Sequence, residues 1–237
     1  MRERRRCALY LFVTASVLSG GNSALASPVA DAQSALESKA HFIKQMQTVL
    51  DSAGLAGRIY YHALCDPNEV RPNTFPQSIR FPQISVGPWA SGRPGLATVR
   101  AMLRGNREVV VTEGPDGVIR IRIGHTPAEL LKTHISTVAF TREEQYDARS
   151  AIAAIFHTRE VTAAVAELNT RSILRMEDYI NAYPHEGAPH LPPVLGDMTL
   201  DQALDEVAIT FRGIIDYGAC TQPHVFDVNF YPAHSDR

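Results

Sequence analysis

Apolar and polar positions follow one pattern twice along the chain. The stretch 96–105 has the form Leu-x-x-Val-x-x-x-Leu-Arg-Gly, and 204–213 has the form Leu-x-x-Val-x-x-x-Phe-Arg-Gly. Apolar residues three and four positions apart predict one buried face of a helix, and a following Gly is typical of a helix end. Extended Pro-containing segments precede both copies and apolar runs follow them. The sequence therefore predicts a strand-helix-strand-strand unit used twice, with the apolar positions of each helix in the core.

The first unit contains further elements that the same periodicities predict. In 118–123, Ile119, Ile121 and Ile123 alternate with Arg120 and Arg122, so we expect one face to pack on a helix and the other to face water. The predicted elements are a helix over 35–53, a strand over 58–64, a Pro-rich surface loop over 66–78, an extended segment over 79–86, a helix over 94–104 ended by Gly105, and a β-hairpin with strands 108–112 and 118–123 around the turn 114–117.

The second half of the chain predicts helices and a second hairpin. Capping-box residues occur at Thr126, Thr141 and Thr199, each followed three positions later by Glu or Gln. The predicted elements are a strand over 135–140, one or two helices over 141–168 with a break near 157–158, a helix from Thr199 ended by Gly213, and strands over 214–217 and 225–231. In the last strand Phe226, Val228 and Phe230 are the packing positions, and Asp227 and Asn229 are expected to point outward.

These elements predict an α+β fold of two small βαββ-type units, with helices packed on short mixed sheets, joined by a helical segment. The expected organisation is a signal peptide over 1–26, a first unit over 35–124, a helical connecting segment over 125–182, a Pro-rich linker over 183–193 and a second unit over 194–231.

The N-terminus has the composition of an export signal. Four of the five residues 2–6 are Arg, the apolar run 7–18 is too short to cross a bilayer, and Ala24-Leu25-Ala26 matches a cleavage site. We expect cleavage after residue 26, in preference to a retained anchor, and a periplasmic or secreted protein. Cleavage removes four Arg and one Glu, which changes the net charge from −2 to −5. This charge argues against a nucleic-acid partner, and no later stretch predicts membrane insertion.

Two cysteines, Cys65 and Cys220, remain after cleavage, and each follows an apolar, aromatic stretch. In an oxidising compartment we expect a disulfide between them, which would stabilise the fold by about 4–5 kcal/mol at most because it closes a long loop. Two buried free thiols are the alternative. A catalytic cysteine is less favoured, because nothing nearby in sequence indicates a lowered thiol pKa.

Parts of both units resemble a known family. The segments 84–87, 95–106, 109–111 and 118–121 are similar to the second half of the secretin and TonB short N-terminal module, in which a strand leads into a helix and then a hairpin. The helix start 198–204, Met-Thr-Leu-Asp-Gln-Ala-Leu, is the closest local match. The resemblance implies a non-enzymatic periplasmic interaction module. Because no secretin core, barrel or plug follows in this sequence, we expect the partner to be a separate envelope or secreted protein.

The residues that could bind such a partner are concentrated in the first unit. Trp89, the only Trp, lies in a Gly-Pro-rich loop, where it is either a binding anchor or a partly buried plug. Five basic residues either bind an anionic partner or form a solvated face that discourages aggregation, namely Arg100, Arg104, Arg107, Arg120 and Arg122.

Candidate catalytic and metal-binding groups have simpler interpretations. His185-Glu186-x-x-x-His190 lacks the HExxH spacing, and its Gly and Pro exclude a helix. Glu143, Glu144 and Asp147 are explained by a helix N-terminus, where carboxylates are favourable. We therefore expect no catalytic residue, metal or cofactor.

The leading hypothesis is an exported, non-enzymatic protein-interaction module of the cell envelope. The alternative is a small secreted hydrolase whose site is assembled only in three dimensions, from residues such as His62, His185, Glu186, His190 and His224.

Overall fold

The computed structural model describes residues 28–63, 81–82, 95–125, 129–172, 187–221 and 224–233. The predictions for the signal peptide, Cys65, the loop 66–78, Trp89, the Thr126 capping box and His185-Glu186 lie outside these ranges, as does most of the extended segment 79–86. The fold is α+β, as the sequence predicts. In the described part of the chain, no helix combines the length and the apolarity needed to cross a membrane.

The helices and strands follow the predicted order closely. The helices are α1 (Pro28–Ala53), α2 (Leu96–Met102), α3 (Arg142–Tyr146), α4 (Ala148–Phe156), α5 (Arg159–Glu167) and α6 (Leu200–Thr210), with a short 3₁₀ helix at Leu130–Lys132. The strands are β1 (Gly57–Ala63), β2 (Val109–Glu113), β3 (Ile119–Ile123), β4 (His134–Ala139), β5 (Arg171–Ser172), β6 (Val194–Thr199), β7 (Gly213–Thr221) and β8 (His224–Pro232).

Three helices, not one or two, occupy the stretch 141–168. Thr141 and Thr199 form the predicted capping boxes of α3 and α6. The additional helix start is at Asp147, whose carboxylate accepts from the Ser150 amide at 2.7 Å and caps α4. The predicted break near 157–158 is confirmed, because α4 ends at Phe156 and α5 begins at Arg159.

Both predicted hairpins form, and both belong to one sheet. The six strands have the order β2-β3-β1-β7-β8-β5, and β4 and β6 form a separate antiparallel pair. β1 is parallel to β3 on one side and to β7 on the other. The sequence predicts a separate short sheet for each unit. Instead, β1 pairs with a strand of each predicted unit. Its two faces are covered, since Ile59 and Tyr61 are fully buried on one face and Tyr60 nearly so on the other. Backbone groups enclosed in this way need hydrogen-bond partners, and β1 finds them in a neighbouring strand at each edge.

The two repeated helices pack on opposite faces of this sheet. α2 and α1 cover the face that bears Ile119, Ile121 and Ile123. α4, α5 and α6 cover the face that bears Phe226, Val228 and Phe230. The helical positions assigned to the core are buried or partly buried, namely Leu96, Val99, Leu103, Leu204, Val207 and Phe211.

The outward orientation expected for Asp227 and Asn229 is wrong. Asp227 pairs with Gly218 and Asn229 with Asp216, on the sheet face that α1 covers. The Asp227 carboxylate lies 4.0 Å from the Lys39 ammonium of α1, and its side chain is only 15% exposed. Apolar and polar side chains do alternate along β8, as predicted. Because helices cover both faces of the sheet, the polar side chains Asp227 and Asn229 are enclosed as well.

The glycine that ends each repeated helix has a different role in each copy. Gly105 has a φ of +94°, the left-handed conformation expected after a helix. In the second copy Arg212 takes this conformation, with a φ of +47°, and Gly213 is already the first residue of β7. The expectation that Gly213 turns the chain is therefore wrong. Gly213 is required for space, since an added Cβ would lie 2.5 Å from the Phe230 ring.

Candidate functional site

A set of polar side chains lies on the sheet face that α6 covers. In the register of β1 and β3, Arg58 pairs with Arg120 and Tyr60 with Arg122. In the neighbouring hairpin, Thr112 of β2 pairs with Arg120. Because paired residues of adjacent strands point to the same face, these side chains are brought together across three strands.

Helix α6 supplies the opposite charges. Asp201 and Asp205 are four positions apart, so they occupy the same side of the helix one turn apart. Thr199 and Gln202 form the capping box that begins α6 at Leu200. Asp201 and Asp205 therefore lie in the first two turns of α6, against the arginines of the sheet. The second unit thus contributes the acidic half of a site whose basic half comes from the first.

The contacts form one connected network. Arg58 is fully buried, and its Nη1 donates to Asp205 Oδ1 and to the Asp201 carbonyl, each at 3.0 Å. Its Nη2 donates to Asp201 Oδ1 at 3.2 Å, and Tyr60 Oη donates to the same oxygen at 2.7 Å. Arg120 Nη2 donates to Asp205 Oδ2 and lies 3.8 Å from Asp201 Oδ2. Two Arg and two Asp balance in charge.

Burial dominates the electrostatics of this network. Desolvation raises the pKa of Asp205, although Arg58 and Arg120 oppose that shift. Desolvation also raises the pKa of Tyr60, so its hydroxyl remains protonated and donates to Asp201. Both oxygens of Asp205 are already bonded to arginines, and Asp205 is only 1% exposed. The network therefore acts as a rigid floor.

A pocket of about 520 Å³ opens beside this floor. Its walls come from the sheet, from the segment around the 3₁₀ helix and from the start of α6, and its lining residues are Tyr60, Thr112, Arg120, Arg122, His125, Glu129, Leu131, Lys132, Thr199 and Asp201. With Arg120 and Asp201 already in ion pairs, the other charged groups among the described lining residues are the cationic Arg122 and Lys132 and the anionic Glu129. The volume is in the range of ligand pockets, and the excess charge favours an anionic group.

The structure separates the five arginines of the predicted binding surface. Arg120 belongs to the ion-pair network, and Arg122 lines the pocket and is exposed. Arg100, Arg104 and Arg107 lie in or just after α2, which packs on the opposite face of the sheet. Arg100 Nε donates to the Val111 carbonyl at 3.1 Å. Two separate surfaces replace the single one that the sequence predicts.

The described residues of the hydrolase alternative, His62, His190 and His224, are not among the described residues that line this pocket. His190 is exposed and stacks on Tyr146 with ring centroids 5.0 Å apart, and His224 is exposed at the start of β8. Burial, and then the nearby His125, lower the pKa of His62 at the end of β1. Among the described residues, no three or more His, Cys, Asp or Glu side chains are grouped as a metal site would require.

A second charged cluster lies under α1. Lys39 Nζ is 2.6 Å from Asp216 Oδ2 and donates to Tyr61 Oη at 2.8 Å. Lys39 and Asp216 side chains are 8% and 0% exposed. Because the cluster is closed from solvent, it stabilises the docking of α1 and is not a binding surface.

Four important residues of the pocket and its floor were missed by sequence reasoning, namely Arg58, Asp201, Asp205 and Lys132. Two signals were available: an Arg within an otherwise apolar predicted strand, and two Asp four positions apart on the repeated helix. Their meeting depends on β1 pairing with β3 on one side and with β7 on the other, which no local pattern specifies. Comparisons of the chain with protein-family models, with curated proteins and with solved structures find no match.

Proposed function

We propose that this protein is a non-enzymatic cell-envelope module that binds another protein, and that the pocket between β3, the 3₁₀ helix and α6 accepts an acidic group of that partner. The observation that carries the proposal is the pocket itself. Its floor is a charge-balanced network around the buried Arg58 and Asp205, and Arg122 and Lys132 are the cationic groups outside that network among the described lining residues.

The chemistry of the floor favours binding over catalysis. A general base must reach a substrate proton with a free lone pair. Asp205 is buried and both of its oxygens are held by arginines, which argues against it as a general base, and Asp201 accepts from Arg58 and Tyr60 through Oδ1. These carboxylates position Arg120 at the edge of the pocket. In a protected site, a guanidinium held in place by such bonds loses less conformational entropy on binding a carboxylate than a freely rotating arginine side chain does.

The cellular location rests on the sequence. The basic start, the short apolar run and Ala24-Leu25-Ala26 support export, and the resemblance to the secretin and TonB short N-terminal module supports a role in the envelope. N-terminal analysis of the protein recovered from the culture fractions tests this part, with Ser27 as the expected first residue.

Affinity capture from envelope extracts tests the binding function. We expect Arg122→Glu and Lys132→Glu to reduce recovery of the captured partner by about fivefold or more, because each reverses a charge that lines the pocket. Arg104→Glu is the matched control, since this exposed arginine lies in the turn after α2, which packs on the other sheet face, and it should change recovery little.

Two results would contradict the proposal. One is an equal loss of captured partner with the Arg104→Glu control, which would indicate a non-specific effect of net charge. The other is capture of no partner together with a rise in melting temperature on adding a small substrate or metal, which would favour the hydrolase alternative.

A further inference from the structure

We infer that the partner binds as an extended strand added to the outer edge of β2, with carboxylate side chains at alternate positions directed into the pocket. This inference rests on the proposed function and specifies how the partner reaches the site. The occupant is a segment of a different protein in which acidic residues alternate with uncharged ones.

The backbone of β2 presents the required hydrogen-bonding groups. β2 is the first strand in the sheet order, with β3 as its one pairing neighbour among the described strands. Gly114 donates to the Val118 carbonyl and Gly124 to the Glu108 carbonyl, so the even-numbered residues of β2 bond to β3. The odd-numbered residues therefore direct their N–H and C=O groups to the outer edge.

The hydrogen bonds already made along this edge agree with the outward direction of the odd-numbered backbone groups. The Val109 N–H donates to the Asn106 carbonyl, and the Val111 carbonyl accepts from Arg100. Within the described part of the chain, the outward N–H groups of Val111 and Glu113 have no hydrogen-bond partner, and an added strand would displace Arg100 from the Val111 carbonyl. Val110 is 49% exposed on the pocket side of β2, so its side chain is accessible to an added strand.

The pocket determines which side chains an added strand should carry. Adjacent strands are about 4.8 Å apart, and their opposed side chains point to the same face. Residues of the partner opposite Val110 and Thr112 would lie two strands, about 10 Å, from Arg122 and Arg120 of β3, a separation that a long arginine side chain and a glutamate side chain can bridge together. These are the positions at which we expect carboxylates.

Two acidic residues restrict the pattern further. Glu113 lies on the other face of β2, so carboxylates at the intervening positions of the partner would be repelled. Glu108 precedes β2 on the pocket side and disfavours a carboxylate at that end. A second copy of this chain fits poorly, because the pocket-side residues of its β2 are the uncharged Val110 and Thr112.

A synthetic peptide provides the test. The probe is a labelled peptide of about ten residues in which Glu and Val alternate, long enough to cover one strand, and the control peptide alternates Lys and Val. Binding to the purified protein is measured by fluorescence anisotropy. Glu113→Pro removes the outward N–H and Glu113→Ala keeps it. We expect Glu113→Ala to leave the Kd of the Glu-Val peptide within about twofold. Glu113→Pro should weaken binding by about fivefold to tenfold, which is the effect of one lost hydrogen bond.

Hydrogen exchange gives a second measurement on the unmodified chain. The Glu-Val peptide should slow exchange of the Val111 and Glu113 amides and leave those of Val110 and Thr112 unchanged, because the latter already bond to β3. Equal slowing at all four amides would overturn strand addition.

The failures of the two proposals can be told apart. If Arg122→Glu weakens the Glu-Val peptide but Glu113→Pro behaves as Glu113→Ala does, the strand addition is wrong and the pocket function stands. If Arg122→Glu has no effect on the peptide or on partner capture, the pocket function is wrong. Equal binding of the Lys-Val peptide, no binding of either peptide, or a dimer that Glu113→Pro dissociates, would each overturn the strand-addition inference.

Discussion

At the scale of single residues, Gly105 and Gly213 illustrate how one sequence motif can meet two physical needs. Both follow the Arg of the repeated pattern. An added Cβ at Gly105 would meet no atom within 4 Å, but the backbone there is left-handed. An added Cβ at Gly213 would lie 2.5 Å from the Phe230 ring and 2.6 Å from the Tyr231 carbonyl. The first position needs backbone freedom and the second needs space.

This difference predicts different responses to alanine. Gly105→Ala should lower the free energy of unfolding by about 1 kcal/mol through backbone strain, and Gly213→Ala by about 1–3 kcal/mol through overpacking. Adding Phe230→Leu should recover part of the loss in Gly213→Ala and none in Gly105→Ala. Urea unfolding of the four variants checks this, and equal behaviour of the two glycines towards Phe230→Leu would contradict it.

Asp227 is the residue for which the structure predicts a dependence of stability on pH. Burial, and then the neighbouring Asp216 carboxylate, raise its pKa, while Lys39 opposes the shift. The folded protein therefore holds this proton more tightly than the unfolded chain does. The resulting stabilisation is fully present below the ordinary Asp pKa of about 4, and it is lost as the pH rises through the raised folded value.

Asp227→Asn should remove this part of the pH dependence, because the amide cannot ionise. We expect a flatter decline of the free energy of unfolding from about pH 4 upward, and a value at neutral pH at least equal to that of the unmodified protein. Urea unfolding at several pH values measures it. Glu143→Gln, at an exposed residue of α3, is the control, and an unchanged pH profile for Asp227→Asn would refute the assignment.

At the scale of elements, the docking of α1 depends on a charge that its apolar pattern does not indicate. Phe42, Ile43, Met46, Val49 and Leu50 form the buried stripe of the helix. Lys39 is also buried, because its ammonium lies against Asp216 of β7 and Tyr61 of β1. Sequence periodicity predicts the helix and its apolar face, whereas the ion pair needs three elements in contact.

Lys39→Met should destabilise the protein strongly, by about 3–5 kcal/mol, since it leaves the Asp216 carboxylate buried without its cation. Lys44→Met is the matched control on the exposed side of α1 and should change stability by less than about 0.5 kcal/mol. Adding Asp216→Asn to Lys39→Met should recover part of the loss. Chemical unfolding monitored by circular dichroism distinguishes the variants, and similar losses for both lysines would contradict the role of the pair.

At the scale of the whole molecule, one sheet contains strands from both predicted units, and the two-unit arrangement itself is not confirmed. β1 comes from the first unit and pairs in parallel with β7 of the second. The last pair in this ladder is Ala63 and Cys220. Cys220 is buried, and Cys65 follows Ala63 by two positions in the sequence. The Cys65–Cys220 disulfide stays a prediction, and this register supports it because two residues span at most about 7 Å.

Peptide mapping of the purified protein, alkylated before digestion and without reductant, tests the disulfide. We expect the peptides that contain Cys65 and Cys220 to be linked, and to separate on reduction. Recovery of both as alkylated single peptides would refute the bond. If the bond is present, reduction should lower the free energy of unfolding by up to about 4–5 kcal/mol, the chain-entropy value for so long a loop.

By itself, the sequence determined the type and order of most elements, because local rules govern them, although the boundary between α3 and α4 and the short strand β5 were not predicted. The spacing in 96–105 and 204–213 predicts α2 and α6, the Thr141 and Thr199 boxes mark two helix starts, and alternation locates β3 and β8. These signals depend on hydrogen bonds and side-chain periods within a few residues.

Only the tertiary structure decided which units share a sheet and therefore where the pocket lies. Arg58, Arg120, Asp201 and Asp205 are up to 147 positions apart and meet because β1 takes both hairpins as neighbours. Strand pairing between distant segments leaves no local pattern, since any apolar strand offers the same backbone groups at its edges. For this reason the repeated spacing located the helices α2 and α6, whereas the site formed where α6 meets the face of β1 and β3 opposite to α2.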